Sequence, residues 1–141
     1  MAGSIERRAR PRPLSPHLQI YRPQINMVMS ILHRITGAAM YVGTVLMAGW
    51  LLAAATSPEC FAWLNAMFAT WPGMIVLAGY SWALIHHALG GMRHFIWDTG
   101  AGLDIDTVDL LSWSTIVLSV LLTGALWFYI GVERGWVTAW Q

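Results

Sequence analysis

Five polar residues stand out in a chain that otherwise avoids charge. His87 and His94 lie seven residues apart in one apolar stretch, and another apolar stretch opens with Ser30, His33 and Arg34. Ionisable side chains close to hydrocarbon are costly, so they are kept where a ligand, a proton path or a cofactor needs them. The pattern predicts a membrane redox subunit rather than a passive anchor.

The composition excludes several other classes of protein. The 141 residues are 57% hydrophobic and 11% charged, whereas a soluble domain carries about 25% charged residues. The net charge is only +1, which argues against a nucleic-acid partner. The single cysteine, Cys60, excludes an internal disulfide, and it excludes a zinc or iron–sulfur site held by this chain alone.

Three uncharged apolar stretches are long enough to cross a bilayer, which takes about 20 residues. Because lipid offers no hydrogen bonds to the backbone, each is predicted to be a helix, giving an all-α integral membrane fold. The helices are predicted over about 27–55, 71–97 and 110–132, after a tail of residues 1–25. Their uncharged cores run from Ile35 to about Ala55, from about Trp71 to Met92, and from Leu110 to Val132.

The connecting segments carry turn and capping signals. Thr70 is a predicted N-cap, and Pro72 falls in the first turn of the second helix. Loops are predicted over residues 57–70 and over the acidic segment 99–109.

The arginines predict the orientation. All eight basic residues are arginines, and only Arg134 lies on the far side of the third span. The positive-inside rule therefore places the N-terminus in the cytoplasm and the C-terminus in the periplasm. The basic tail has no apolar h-region and is interpreted as retained. We expect a bacterial inner membrane, with the mitochondrial inner membrane as the alternative.

The second apolar stretch carries a row of small residues around an imidazole. Ala83, His87 and Gly91 are spaced four apart, so they share one helical face, and Gly90 widens the gap beside them. This face would admit a haem whose iron His87 ligates. A small-residue packing seam with histidines bonding across helices explains the spacing equally well. His86 points about 100° away from His87 and is predicted to hydrogen-bond or to face a partner.

A low-spin b-type haem takes two axial ligands. His33 lies at the inner edge of the first span, and His87 is expected to lie about 6 Å or more deeper by helical rise. His33 is therefore expected to be badly placed for the same iron. The second ligand is predicted to come from another chain.

The start of the first span could bind a quinone. Ser30 and Arg34 are one turn apart, and their hydroxyl and guanidinium can donate to a quinone carbonyl. The cation would also stabilise the anion that forms as electrons arrive. Alternatively, His33 and Arg34 grip haem propionates, or Arg34 simply extends to lipid phosphate.

The third apolar stretch carries hydroxyl groups at spacings of three and four, which predicts a helix-packing face. A transporter or channel would line several helices with polar groups, and hydroxyls alone argue against it. The stripe consists of Ser112, Thr115, Ser119 and Thr123.

Two motifs carry a family resemblance. Residues 12–21 read RPLSPHLQIY and residues 30–37 read SILHRITG, while residues 87–100 read HALGGMRHFIWDTG. In this order they resemble the signatures of the cytochrome b subunit of succinate dehydrogenase, the larger membrane anchor of respiratory complex II. The resemblance covers residues 12 to about 132.

The resemblance implies a partner for each predicted site. The three helices would pack with three helices of a smaller anchor, and a haem b between them would take one axial ligand from His87 and the other from that anchor. Ser30 and Arg34 match the ubiquinone site of the family. The iron–sulfur subunit, which supplies the electrons, and the flavoprotein would sit on the inner side. The resemblance implies that His33 and His94 lie near the haem propionates. Arg34 and Arg93 are further candidates for the propionates or for the surrounding shell.

Two alternatives stay open from the sequence. A fumarate reductase anchor working with menaquinone has the same architecture, and a purely structural anchor would hold neither haem nor quinone. Asp98 belongs to the second motif, with capping or pairing with Arg93 as its candidate roles.

Overall fold

The computed structural model describes residues 13–135, and every regular element among them is an α-helix. The prediction of an all-α fold is confirmed for this part of the chain. The orientation stays a prediction, and the first four arginines on which it depends lie outside the described residues. The helices are α1 (His17–Ile20), α2 (Ile25–Thr56), α3 (Pro58–Phe68), α4 (Trp71–Asp98) and α5 (Ile105–Glu133).

Two of the long helices can each cross a membrane by length and composition. They are α2, with 32 residues, and α5, with 29 residues. Helix α4, with 28 residues, is long enough to cross a membrane. It reaches the hydropathy of a membrane span only when it is taken together with α3, and the two helices meet at an angle of 84°. Histidines and Arg93 lower its hydropathy, so the helix that carries most of the predicted site is the least lipid-like of the three.

The predicted loop over residues 57–70 is wrong, because residues 58–68 form helix α3. The Ser57 hydroxyl caps this helix by accepting a hydrogen bond from the Cys60 amide at 3.2 Å. Pro58 stands at its first position and Glu59 lies in its first turn, both of which favour a helix start. These signals are visible in the sequence. The stretch was nevertheless predicted to be a loop, because its 11 residues are fewer than the about 20 that a membrane span needs.

The link between α4 and α5 is shorter than predicted. Gly100 adopts a left-handed φ of 79° and ends α4 by donating to the Trp97 carbonyl at 2.8 Å. Helix α5 begins at Ile105 rather than near Leu110, because the Asp104 carboxylate accepts from the Thr107 amide at 2.9 Å. That hydrogen bond lowers the pKa of Asp104.

The predicted N-cap of α4 is confirmed. The Thr70 hydroxyl accepts a hydrogen bond from the Gly73 amide at 3.3 Å.

The interior of the described chain is more polar than its surface. Helix α4 packs against both α2 and α5, which also touch each other. Large apolar side chains point outward along all three long helices, the reverse of a soluble domain and suited to lipid and to other membrane helices. The buried apolar residues are Met29, Ala53 and Ala83, and the buried polar ones are Thr36, His86, Arg93, Ser112, Thr115 and Ser119.

Candidate functional site

Three imidazoles meet where α2 and α4 pack. The rings of His33 and His87 stack with their centroids 4.0 Å apart and their planes 15° from parallel. His94 meets His33 edge-on at 5.2 Å. His33 and His87 are half-buried, whereas His94 is exposed. The two separate motifs therefore form one cluster, which we call the histidine cluster.

The contact between His33 and His87 corrects the expectation that they lie at different depths. Counting residues along each helix does not include how α2 and α4 pack against each other, and that packing brings the rings together. Two axial ligands must approach an iron from opposite sides, and stacked rings do not. A second axial ligand from another chain therefore stays the prediction. The reason is now the stacking of the two rings rather than a difference in depth.

The His87 ring is held at one nitrogen. Its Nδ1 lies 3.1 Å from the His33 carbonyl oxygen and 3.3 Å from the Thr36 hydroxyl. A carbonyl only accepts, so Nδ1 carries the proton. Thr36 donates its own proton to the Leu32 and His33 carbonyls, at 2.9 and 3.0 Å, so its oxygen also accepts from His87. The Nε2 lone pair is thereby left available to a metal.

Two glycines make room for the stacked rings. A Cβ added to Gly37 would lie 2.9 Å from Cε1 of His87, and a Cβ on Gly90 would overlap the His33 ring. Gly91, in contrast, faces open space among the described residues. Ala83 is buried within the chain, at 4% exposure. Contact between haem and Ala83, Gly90 or Gly91 stays a prediction, and Gly91 is the one that opens outward.

The predicted quinone residues lie on the outer surface of α2. Ser30 and Arg34 are one turn apart, and both are exposed. The residues of this chain alone do not enclose a quinone head group at this position. A quinone site at this position would need walls from a neighbouring subunit.

Of the predicted propionate residues, His33 and Arg34 lie on α2, while Arg93 and His94 are neighbours on α4. The His94 ring meets Trp97 edge-on at 5.3 Å, and the Trp97 indole donates to the Gly102 carbonyl at 3.0 Å. Arg93 lies 5.0 Å from the centre of the Trp97 ring and donates to the Ser112 hydroxyl at 3.1 Å. Arg93 is thus turned toward α5 rather than paired with Asp98. Its role near haem propionates stays a prediction.

The hydroxyl stripe of α5 packs against α4, as predicted. Ser112, Thr115 and Ser119 are all buried, at 4% exposure or less. The Ser119 hydroxyl lies 3.1 Å from Nδ1 of His86. His86 therefore hydrogen-bonds on the face away from His87, which confirms one of its two predicted roles.

A cavity lies away from the histidine cluster. An open groove of about 1350 Å³ is bounded by α2, α3, α4 and α5, and its lining includes Trp50, Asn65, Tyr80 and Arg134. None of the residues predicted to bind haem or quinone lines it. The chemistry-bearing side chains and this groove are therefore separate features.

Comparison with known proteins decides the family. The model of the succinate dehydrogenase/fumarate reductase transmembrane subunit family matches residues 8–126. The chain belongs to this family. It is 47% identical to the succinate dehydrogenase cytochrome b556 subunit of Paracoccus denitrificans over 111 residues, which are 79% of this chain and 85% of that protein.

More distant relatives cover similar lengths of this transmembrane subunit. The cytochrome b556 subunit of Rickettsia felis is 38% identical over 82% of this chain and 90% of its own length. The mitochondrial cytochrome b560 subunit of Mus musculus is 36% identical over 82% and 69%. The resemblance carried by the two motifs is confirmed.

Two members of the site in this transmembrane subunit were missed from the sequence. Thr36 and Gly37 stand in the first motif, yet neither was assigned a role. Thr36 supplies an oxygen to His87, and Gly37 supplies room for its ring. Their position one turn after His33 was the available signal, since residues three and four apart share a helical face.

Proposed function

We propose that this chain is the membrane anchor of a succinate dehydrogenase, that it holds haem b through His87, and that it binds ubiquinone beside Ser30 and Arg34. The family and the names of the relatives support the enzyme. The single observation that carries the haem role is the fixed His87 ring, with its proton on Nδ1 and its Nε2 lone pair unused.

The donor set of the histidine cluster fits a haem. Metal-ligating histidines commonly donate their other ring N–H to a carbonyl or carboxylate, which fixes the tautomer and the ring orientation. His87 has this arrangement with the His33 carbonyl. Bound haem would supply one-electron redox chemistry. This chain would supply one axial ligand, the smaller anchor the other, and His33, Arg34, Arg93 and His94 would lie near the propionates.

The exposed Ser30 and Arg34 would bind the quinone head group. The hydroxyl and the guanidinium donate to a carbonyl oxygen, and the guanidinium stabilises negative charge that develops there. Electrons would come from the iron–sulfur subunit, while the flavoprotein oxidises succinate. Protons would enter from the cytoplasmic side, because the positive-inside rule predicts that this end of α2 faces the cytoplasm of a bacterial cell.

The haem role is tested by His87→Ala in the purified complex. We expect the reduced-minus-oxidised spectrum of the b-type haem to be lost or strongly changed, because an axial ligand is removed. His17→Ala, which changes an exposed histidine at the start of α1, is the matched control and should leave the spectrum unchanged. A native spectrum and reduction potential in His87→Ala would contradict the proposal and would make His86 and His94 the next candidate ligands.

The quinone role is tested by Arg34→Leu. Loss of one charge-stabilising donor should lower quinone reductase activity by about 10²-fold, while succinate oxidation with an artificial acceptor persists. Arg22→Leu, also exposed, is the control. Quinone reductase activity in Arg34→Leu equal to that of Arg22→Leu would contradict the assignment, whereas equal loss of both activities would indicate failed assembly. Quinone analysis of the complex separates a ubiquinone enzyme from a menaquinone-linked fumarate reductase.

A further inference from the structure

Two side-chain hydrogen bonds join α4 to α5 along one seam. Nδ1 of His86 lies 3.1 Å from the Ser119 hydroxyl, and Arg93 donates to the Ser112 hydroxyl at 3.1 Å. The bonds are seven residues apart on each helix, which is close to two full turns. All four side chains are buried. The seam therefore repeats in step on both helices.

The bond between His86 and Ser119 has a defined polarity. The Ser119 hydroxyl donates to the Ile116 carbonyl at 2.9 Å, so its oxygen is left to accept from Nδ1 of His86. The Trp82 ring lies 5.0 Å from the imidazole of His86. His86 is 1% exposed, so the bond is shielded from lipid and water.

His86 and His87 point to different helices because neighbouring residues on a helix lie about 100° apart. Helix α5 holds His86 through Ser119, and α2 holds His87 through the His33 carbonyl. We infer that His86 is a positioning residue, whose bond to Ser119 fixes the rotation of α4 and so directs His87 toward the iron. This inference rests on the proposed role of His87 as haem ligand.

Small rotations matter at this distance from the axis. Side-chain atoms lie about 5 Å from a helix axis, so a rotation of about 10° moves them by about 1 Å. Metal–ligand distances tolerate only about 0.2 Å. Membrane helices lack a hydrophobic force between them, so hydrogen bonds and close packing determine their rotation. Losing one bond of the seam would therefore alter the haem without removing a ligand.

The test compares four variants in the intact complex. Ser119→Ala and His86→Leu remove the bond, and His86→Asn can place an amide N–H near the position of Nδ1. Ser114→Ala is the matched serine control on α5. We expect the first two to weaken haem retention by about 10-fold and to shift the low-spin electron paramagnetic resonance signal and the reduction potential. His86→Asn and Ser114→Ala should resemble the native complex.

The outcomes separate this inference from the proposed function. Native signals in both Ser119→Ala and His86→Leu would overturn the inference, as would equal shifts in Ser114→Ala. Loss of partner chains together with haem in Ser119→Ala would also overturn it, because that indicates an assembly defect. If His86→Leu fails to assemble, Ser119→Ala decides. A native spectrum in His87→Ala would refute the haem proposal itself, whatever these variants show.

Discussion

The substitution Gly37→Ala tests whether His87 is held in one position by α2. An added Cβ would lie 2.9 Å from Cε1 of His87, and ordinary contact begins at 3.4 Å. The ring must therefore retreat from α2 by about 0.5 Å, a strain of the kind that overpacking imposes on a tight interface. We expect the haem to change although its proposed ligand is intact.

The size of the effect follows from the hydrogen bond on the same face. Gly37 lies one turn after His33 on α2, so a ring pushed away from Gly37 also moves away from the His33 carbonyl. The distance from Nδ1 to that oxygen is 3.1 Å. It would grow to about 3.6 Å, beyond a hydrogen bond. Removing such a support costs about 10- to 100-fold in metal affinity, and we expect a loss in this range.

The assay is haem retention per assembled complex, measured by optical spectroscopy during dilution. Gly49→Ala is the control, because it is the same change on the same helix and a Cβ there meets nothing within 4 Å among the described residues. It should retain haem like the native complex. Equal retention in Gly37→Ala and Gly49→Ala would refute the reasoning that α2 fixes the ring.

Two further predictions concern packing and capping. Gly43→Ala should lower the thermal midpoint of the complex, because the new Cβ would overlap the Tyr80 ring, and a midpoint equal to that of Gly49→Ala would contradict this. Asp104→Asn should also lower the midpoint at neutral pH, because it removes the charge that the Thr107 amide stabilises. The lowered pKa of Asp104 means that this contribution is present above the ordinary carboxyl range and is lost as the pH falls through the lowered pKa. The difference between Asp104→Asn and the native complex should therefore vanish in acid; a constant difference at every pH would rule out the charge.

The sequence predicted the long helices well because their signals are local. Apolar length and the cap at Thr70 predicted the observed start of α4. Asp104 also carries an N-cap signal, but the segment 99–109 was predicted to be a loop because it is acidic. The same bias toward long apolar runs concealed α3. Ser57, Pro58 and Glu59 mark its start by mechanisms that do not depend on hydropathy.

The arrangement of the histidine cluster was harder to predict, because it depends on how helices cross. Residue counting placed His33 and His87 at different depths, whereas their rings stack. The role of Gly90 shows the same limit. Its small size was assigned to a macrocycle, and the structure places the His33 ring against it.

The polarity of α4 explains why it lies between the other two long helices. A helix that carries His86, His87 and Arg93 would be costly to expose to hydrocarbon on every side. Helix α5 offers hydroxyl oxygens to His86 and Arg93, and α2 offers a carbonyl and a hydroxyl to His87. Polar side chains in a membrane helix are stabilised when neighbouring helices satisfy them. The low hydropathy that weakens α4 as an independent span is therefore tolerated in its central position, where α2 and α5 each bond to it. The hydrogen bonds to His86 and His87 are made through Nδ1, and Nε2 of His86 is buried without a partner among the described residues.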